Sequence, residues 1–128
     1  MEDRKWSYNS NMILKFEDLE IYQLSYKLAV VLFGLIRKSK NFELIREAMR
    51  SARSIATNIA EGFSRKFDRK VFNYHLGVAL GEANEMIVHL NFLKDFGDLQ
   101  PGDAEKLIKN YEILCRKIQT FRKKNAEF

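Results

Sequence analysis

Between residues 45 and 63 the side chains Ile45, Ala48, Met49, Ala52, Ile55, Ala56, Ile59 and Phe63 recur at steps of three and four. On a helix turning about 100° per residue, that spacing gathers them on one face. Such a helix is stable only against neighbours, and its alanines let a neighbour approach closely. Three further segments carry the same period. The first has Ile21, Tyr22, Leu24, Leu28, Val31, Leu32, Leu35 and Ile36. The third has Phe72, Leu76, Ala79, Ala83, Met86, Ile87 and Leu90, and the fourth Leu107, Ile108, Tyr111, Leu114, Cys115, Ile118 and Phe121. With six Gly and one Pro in 128 residues, the chain lacks the frequent turns of an all-β fold. The fold class is therefore all-α: an up-down-up-down antiparallel four-helix bundle.

Local signals set the expected boundaries. Residues 1–14 show no sustained period and read as an N-terminal tail, in which Trp6 and Tyr8 are available to dock; residues 15–125 form the bundle. Asp18 is a suitable N-cap for a first helix running to about Ser39, with Lys38 and Lys40 near its negative end. Asp68 caps the third helix, which continues to about Phe96 and stops at Gly97. Pro101 suits the first position of the fourth helix, followed by Asp103 and Glu105.

The third helix carries a second apolar stripe roughly opposite the first: Val71, Tyr74, Val78, Phe92 and Phe96, with Gly81, Glu85 and His89 between its ends. A bundle helix buries one face. A second apolar face points to self-association as its simplest use, or to coverage by the N-terminal tail.

The sequence offers little for catalysis. Bundle metal sites use Glu-x-x-His, but Met86 and Phe72 occupy the positions three before His89 and His75. Glu85 and His89, four apart, are expected to form a hydrogen-bonded interface pair. Cys115 falls on the apolar stripe of the fourth helix, where a thiol behaves as a small hydrophobe. No glycine-rich phosphate loop, serine elbow or paired-carboxylate cleft is present, so no enzyme, metal or cofactor is expected. A single cysteine, no run long enough to span a bilayer and no leader pattern lead to the expectation of a cytoplasmic protein without membrane contact.

The charge is more informative. Twenty-two Lys and Arg against 17 Asp and Glu leave +5, and the excess is unevenly placed. Residues 42–66 hold five cations and three anions, 67–100 three and five, and 101–128 seven and four. Arg46, Arg50 and Arg53 follow one flank of the second helix. Arg65, Lys66, Arg69 and Lys70 crowd the next loop and helix start, and Arg116, Lys117, Arg122, Lys123 and Lys124 lie near the end of the chain. Cations at a helix N-terminus oppose its dipole, so local stability does not account for them. A phosphate-binding surface does, by backbone and shape recognition, since no aromatic platform is evident among them. An acidic protein partner is the other reading.

The second helix ends in Asn58, Glu61 and Gly62. Gly62 is suited to a left-handed helix terminus, whereas an acid at that end is mildly unfavourable. Neither Asn58 nor Glu61 projects into the bundle's own apolar face. They are expected to form a structural or inter-subunit motif, with Glu61 placed to pair with Arg65 or with a neighbour's arginine.

The stretch RSARSIATNIAEGFSRK, residues 50–66, resembles the signature of the four-helix-bundle proteins of 23S rRNA intervening sequences: Arg-Ala, Ser-Ile, a Pro, then Asn-Ile-Ala-Glu-Gly and an Arg. FEDLEIYQLSYKLA is similar to that family's Phe-x-Asp-Leu opening. LGVALGEANEM resembles its Ala-x-Gly-Ser-Leu-x-Glu segment, with Gly81 and Glu85 matching the Gly and Glu. The resemblance covers about residues 16–124. Ala56 stands where the signature has Pro, so the second helix is expected to run straighter; Glu82 stands for the Ser, and the loop before Asp68 is one residue longer. The resemblance implies a positively charged, non-enzymatic homopentameric barrel. It also implies a relation to the accessory variability determinants of diversity-generating retroelements, which bind a reverse transcriptase and template RNA for mutagenic cDNA synthesis.

Overall fold

Each apolar stripe becomes a helix in the computed structural model, which describes residues 15–127. The helices are α1 (Glu20–Ile36), α2 (Phe42–Ser64), α3 (Arg69–Asp95) and α4 (Pro101–Glu127). The expected tail, residues 1–14 with Trp6 and Tyr8, lies outside the described residues. Contacts join α1 to α2, α2 to α3 and α3 to α4, and α4 closes the ring on α1. This is the four-helix bundle that the periodicity predicts, and no strand occurs among the described residues.

Buried positions alternate steps of three and four on the longer helices. On α3 they are Phe72, Leu76, Ala79, Ala83, Met86, Leu90 and Leu93. On α4 Ala104, Leu107, Tyr111, Leu114 and Ile118 face them. Each large side chain buried in this way contributes about 1.5–3 kcal/mol. At one end of the bundle the Phe72 ring lies edge-on to Phe63 at 6.2 Å and to Phe121 at 5.8 Å, joining α2, α3 and α4.

Two boundaries differ from expectation. Asp18 belongs to a short 3-10 turn, Phe16–Asp18, and Leu19 is the N-cap of α1, with no side-chain cap. An apolar anchor replaces the polar one: Leu19 is buried, and Phe16 packs edge-on to Tyr22 at 4.9 Å. The helix also ends at Ile36, short of Ser39. The side chains of Ser39 and Asn41 both donate to the Asp98 carboxylate, and that cross-link turns the chain.

The other ends follow the sequence. The Asp68 carboxylate accepts from the Val71 N–H at 3.2 Å. After α3, Gly97 adopts φ +88°, where the Asp98 N–H reaches the Leu93 carbonyl and the Gly97 N–H that of Lys94. This paired closure needs a left-handed residue, which glycine supplies without strain. With Ala56 at the signature's proline position, α2 is unbroken over its 23 residues.

Candidate nucleic-acid interface

Antiparallel packing decides which cations meet. The C-terminus of α2, the N-terminus of α3 and the C-terminal half of α4 share one end of the bundle. There the Arg122 Nε donates to the Asn73 carbonyl at 3.2 Å, and the buried Asn125 amide donates to the Asn73 side chain at 2.7 Å. Arg65, Lys66, Arg69 and Lys70 thus stand at the same end as Arg122, Lys123 and Lys124. Arg46 and Arg50 lie toward the opposite end of α2.

The twelve predicted phosphate ligands are not equivalent. Arg50 is engaged by three carboxylates: Glu82 at 3.4 Å, Glu47 at 3.5 Å and Glu85 at 3.7 Å. The Glu82 charge, foremost, raises its already high pKa. Lys117 ties α4 to α1 through Glu20 at 3.0 Å. Arg122 lies over Gly77, where a Cβ would come within 2.9 Å of its guanidinium nitrogen. These three side chains serve the bundle itself. Arg65 approaches Glu61 at 3.9 Å, a loose exposed contact. Among the described residues, no carboxylate pairs with Arg46, Arg53, Lys66, Arg69, Lys70, Arg116, Lys123 or Lys124.

An aromatic ring does stand among these cations, contrary to the expectation from sequence. Phe67 is 88% exposed, and the Lys66 ammonium sits 5.0 Å from its ring centre and 4.4 Å from that of Phe63. Phe67 follows Phe63 by four residues and so mimics another turn of the α2 stripe. Because α2 ends at Ser64, the ring leaves the core.

The Asn-Ile-Ala-Glu-Gly stretch also works differently from expectation. Gly62 is buried within α2, in helical rather than left-handed conformation. A Cβ on it would lie 2.9 Å from His75 Cβ and 2.9 Å from Phe72 Cδ1, so it permits the close approach of α3. One turn earlier the Asn58 side chain meets His75 Nδ1 at 3.0 Å and donates to the Ser54 carbonyl at 2.9 Å. Asn58 is therefore held within the bundle, in the α2–α3 seam. The buried Ser51 continues this seam by bonding His89 Nε2 at 3.2 Å. The expected Glu85–His89 pair is absent: Glu85 turns to Arg50 and His89 to Ser51.

The second stripe of α3 is interrupted. Tyr74, Phe92 and Phe96 are exposed, but Val71 and Val78 are half-buried, and Tyr74 lies about 27 Å of helix from Phe92. An apolar groove of about 720 Å³, not anticipated from the sequence, opens between α1 and α2. Tyr26, Val30 and Phe33 line it from α1, and Met49, Ala56 and Ala60 from α2, with Arg53 and Glu61 beside them. Those α1 residues alternate with the buried Ser25, Leu28, Leu32 and Ile36, so α1 is apolar on two faces. That double periodicity was the signal available in the sequence.

Cys115 is half-buried; burial, foremost, pushes its thiol pKa up, and its Sγ contacts Asn84 Oδ1 at 3.6 Å. Among the described residues no cluster of His, Cys, Asp and Glu is placed to hold a metal ion, and no helix is long and apolar enough to cross a membrane.

No curated protein and no solved structure gives a significant match to the chain. The family model described as 23S rRNA-intervening sequence protein matches residues 17–120, spanning all four helices. The chain belongs to that family.

Proposed function

We propose that this protein is a basic, oligomeric, cytoplasmic RNA-binding adaptor without catalytic activity of its own. The observation that carries the reading is the cation cluster at the α2–α3 corner. Arg65, Lys66, Arg69 and Lys70 surround a helix N-terminus, and Asp68, the one acid among residues 65–70, is engaged in capping. Their charge adds to the positive end of the helix dipole, an arrangement suited to phosphate and costly without an anion. Lys123 and Lys124 extend it from α4.

Self-association supports the same reading. The apolar α1–α2 groove is a surface for a second copy, and Glu61 beside it is available to a neighbour's arginine. A homopentamer, as the family resemblance implies, would carry about +25, a field that reaches well beyond one protomer. The retroelement role rests on the family resemblance: an accessory variability determinant holding template RNA and a reverse transcriptase during mutagenic cDNA synthesis. A reverse transcriptase gene beside this one would favour that branch. An rRNA gene surrounding it would favour a protein encoded by an rRNA intervening sequence.

Charge reversal at Arg65, Lys66, Arg69 and Lys70 tests the site. Binding of a structured RNA across a salt series is expected to weaken. Its salt dependence should flatten by about 0.7–0.9 in log–log slope for each phosphate no longer neutralised. Unchanged affinity and slope remove this corner from the interface. The second reading, a scaffold for an acidic protein, rests on the same cations and requires partner co-purification that survives RNase.

A further inference from the structure

The most exposed large apolar side chain among the described residues is Phe67, and it stands in the middle of the cation cluster. A single surface phenylalanine is ordinary; this position is not. Arg65 and Lys66 precede it, Arg69 and Lys70 follow it, and Asp68 is turned to the Val71 N–H. The Lys66 ammonium lies between two rings, 4.4 Å from the centre of Phe63 and 5.0 Å from that of Phe67. Folding does not require the ring, which is 88% exposed, nor does the α2–α3 connection require an aromatic residue.

We infer that Phe67 is a stacking platform for an unpaired base, with Arg65, Lys66, Arg69 and Lys70 holding the phosphates on either side of it. The inference rests on the RNA-binding reading and deepens it by naming single-stranded RNA as the ligand class. Duplex RNA keeps its base faces against one another and offers an aromatic ring little beyond phosphate and ribose. A splayed nucleotide presents a flat face and a flanking charge together, and this corner offers a flat ring and flanking cations. Every base has such a face, so the contact selects strandedness while tolerating sequence. The expected backbone recognition is thus retained and acquires a preference for loops, bulges and ends.

The test is fluorescence anisotropy with two labelled probes, a uridine homopolymer of about a dozen nucleotides and a duplex of equal length. Wild type, Phe67→Ala, Phe67→Trp and the fourfold charge reversal are compared, with thermal melting of each variant. Phe67→Ala is expected to melt like wild type and to weaken homopolymer binding about tenfold, with an unchanged salt slope. It should leave duplex binding within about twofold, and Phe67→Trp should restore the homopolymer. Equal losses on both probes overturn the platform. So does an unaffected homopolymer when charge reversal still abolishes binding, although the RNA reading then stands. No binding of either probe by the wild type at low salt ends both. A Phe67→Ala effect confined to particle mass, or to binding of anionic phospholipid vesicles, assigns the ring to a copy contact or a membrane surface and overturns the proposal.

Discussion

Asn58 and His75 meet across the α2–α3 seam, Oδ1 to Nδ1, at 3.0 Å. One turn on, Gly62 opens the space that the His75 Cβ and the Phe72 ring occupy. The Asn and the Gly of the Asn-Ile-Ala-Glu-Gly stretch are thus two parts of one helix–helix contact. Glu61, between them in sequence, faces outward.

Asn58→Ala leaves the His75 ring nitrogen without its partner at a half-buried position. A loss of about 1 kcal/mol is expected, since part of the cost is offset by water. Urea denaturation followed by circular dichroism should show a lower midpoint with the same slope.

Gly62→Ala and Gly81→Ala are expected to move in opposite directions. At Gly62 the new Cβ meets His75 and Phe72 side-chain atoms at 2.9 Å, and displacing them should cost about 1–3 kcal/mol, more than alanine's helix propensity returns. At Gly81 nothing lies within 4 Å, so the protomer should become more stable by about 0.5–1 kcal/mol. Paired thermal melts check both signs; a Gly62→Ala protein as stable as wild type removes the close-approach role.

The Tyr111 hydroxyl is buried without a hydrogen-bond partner among the described residues, and burial drives its phenol pKa upward. Tyr111→Phe removes an unsatisfied polar group while keeping the ring. Stability should be unchanged or higher by up to about 2 kcal/mol, the reverse of the usual cost of a core substitution. Denaturant midpoints of the two proteins settle the sign.

Val30→Asp and Phe33→Asp probe the α1–α2 groove. These side chains are 58% and 50% exposed, so a carboxylate should cost the protomer little. Light scattering is expected to show a smaller particle with unchanged helicity. A particle of wild-type mass in both variants takes this groove out of the oligomer interface.

The seam also marks the limit of what a helical pattern can foretell. A helical wheel places Asn58 on the flank of α2, and a flank is polar whether it faces water or a neighbour's histidine. The partner, His75, lies 17 residues away. Gly62 next to a helix end resembles a terminator, because sequence alone does not say whether another helix passes there. Arg50 and Lys117 likewise read as free cations until Glu82 and Glu20 are brought beside them.

The four helices, the cap at Asp68, the stop at Gly97 and most of the core were legible in the chain alone. Each depends on the chain within a few turns: a period near 3.6, a side chain that reaches its own backbone, a residue free to take positive φ. Which surfaces were left over depended on how the helices packed against one another. Antiparallel packing brought residues 65–70 and 122–124 to one end, left Phe67 outside the core beyond the end of α2, and opened an apolar groove between α1 and α2. Those outcomes depend on what each face meets across the bundle, and contacts between distant segments leave no period in the chain.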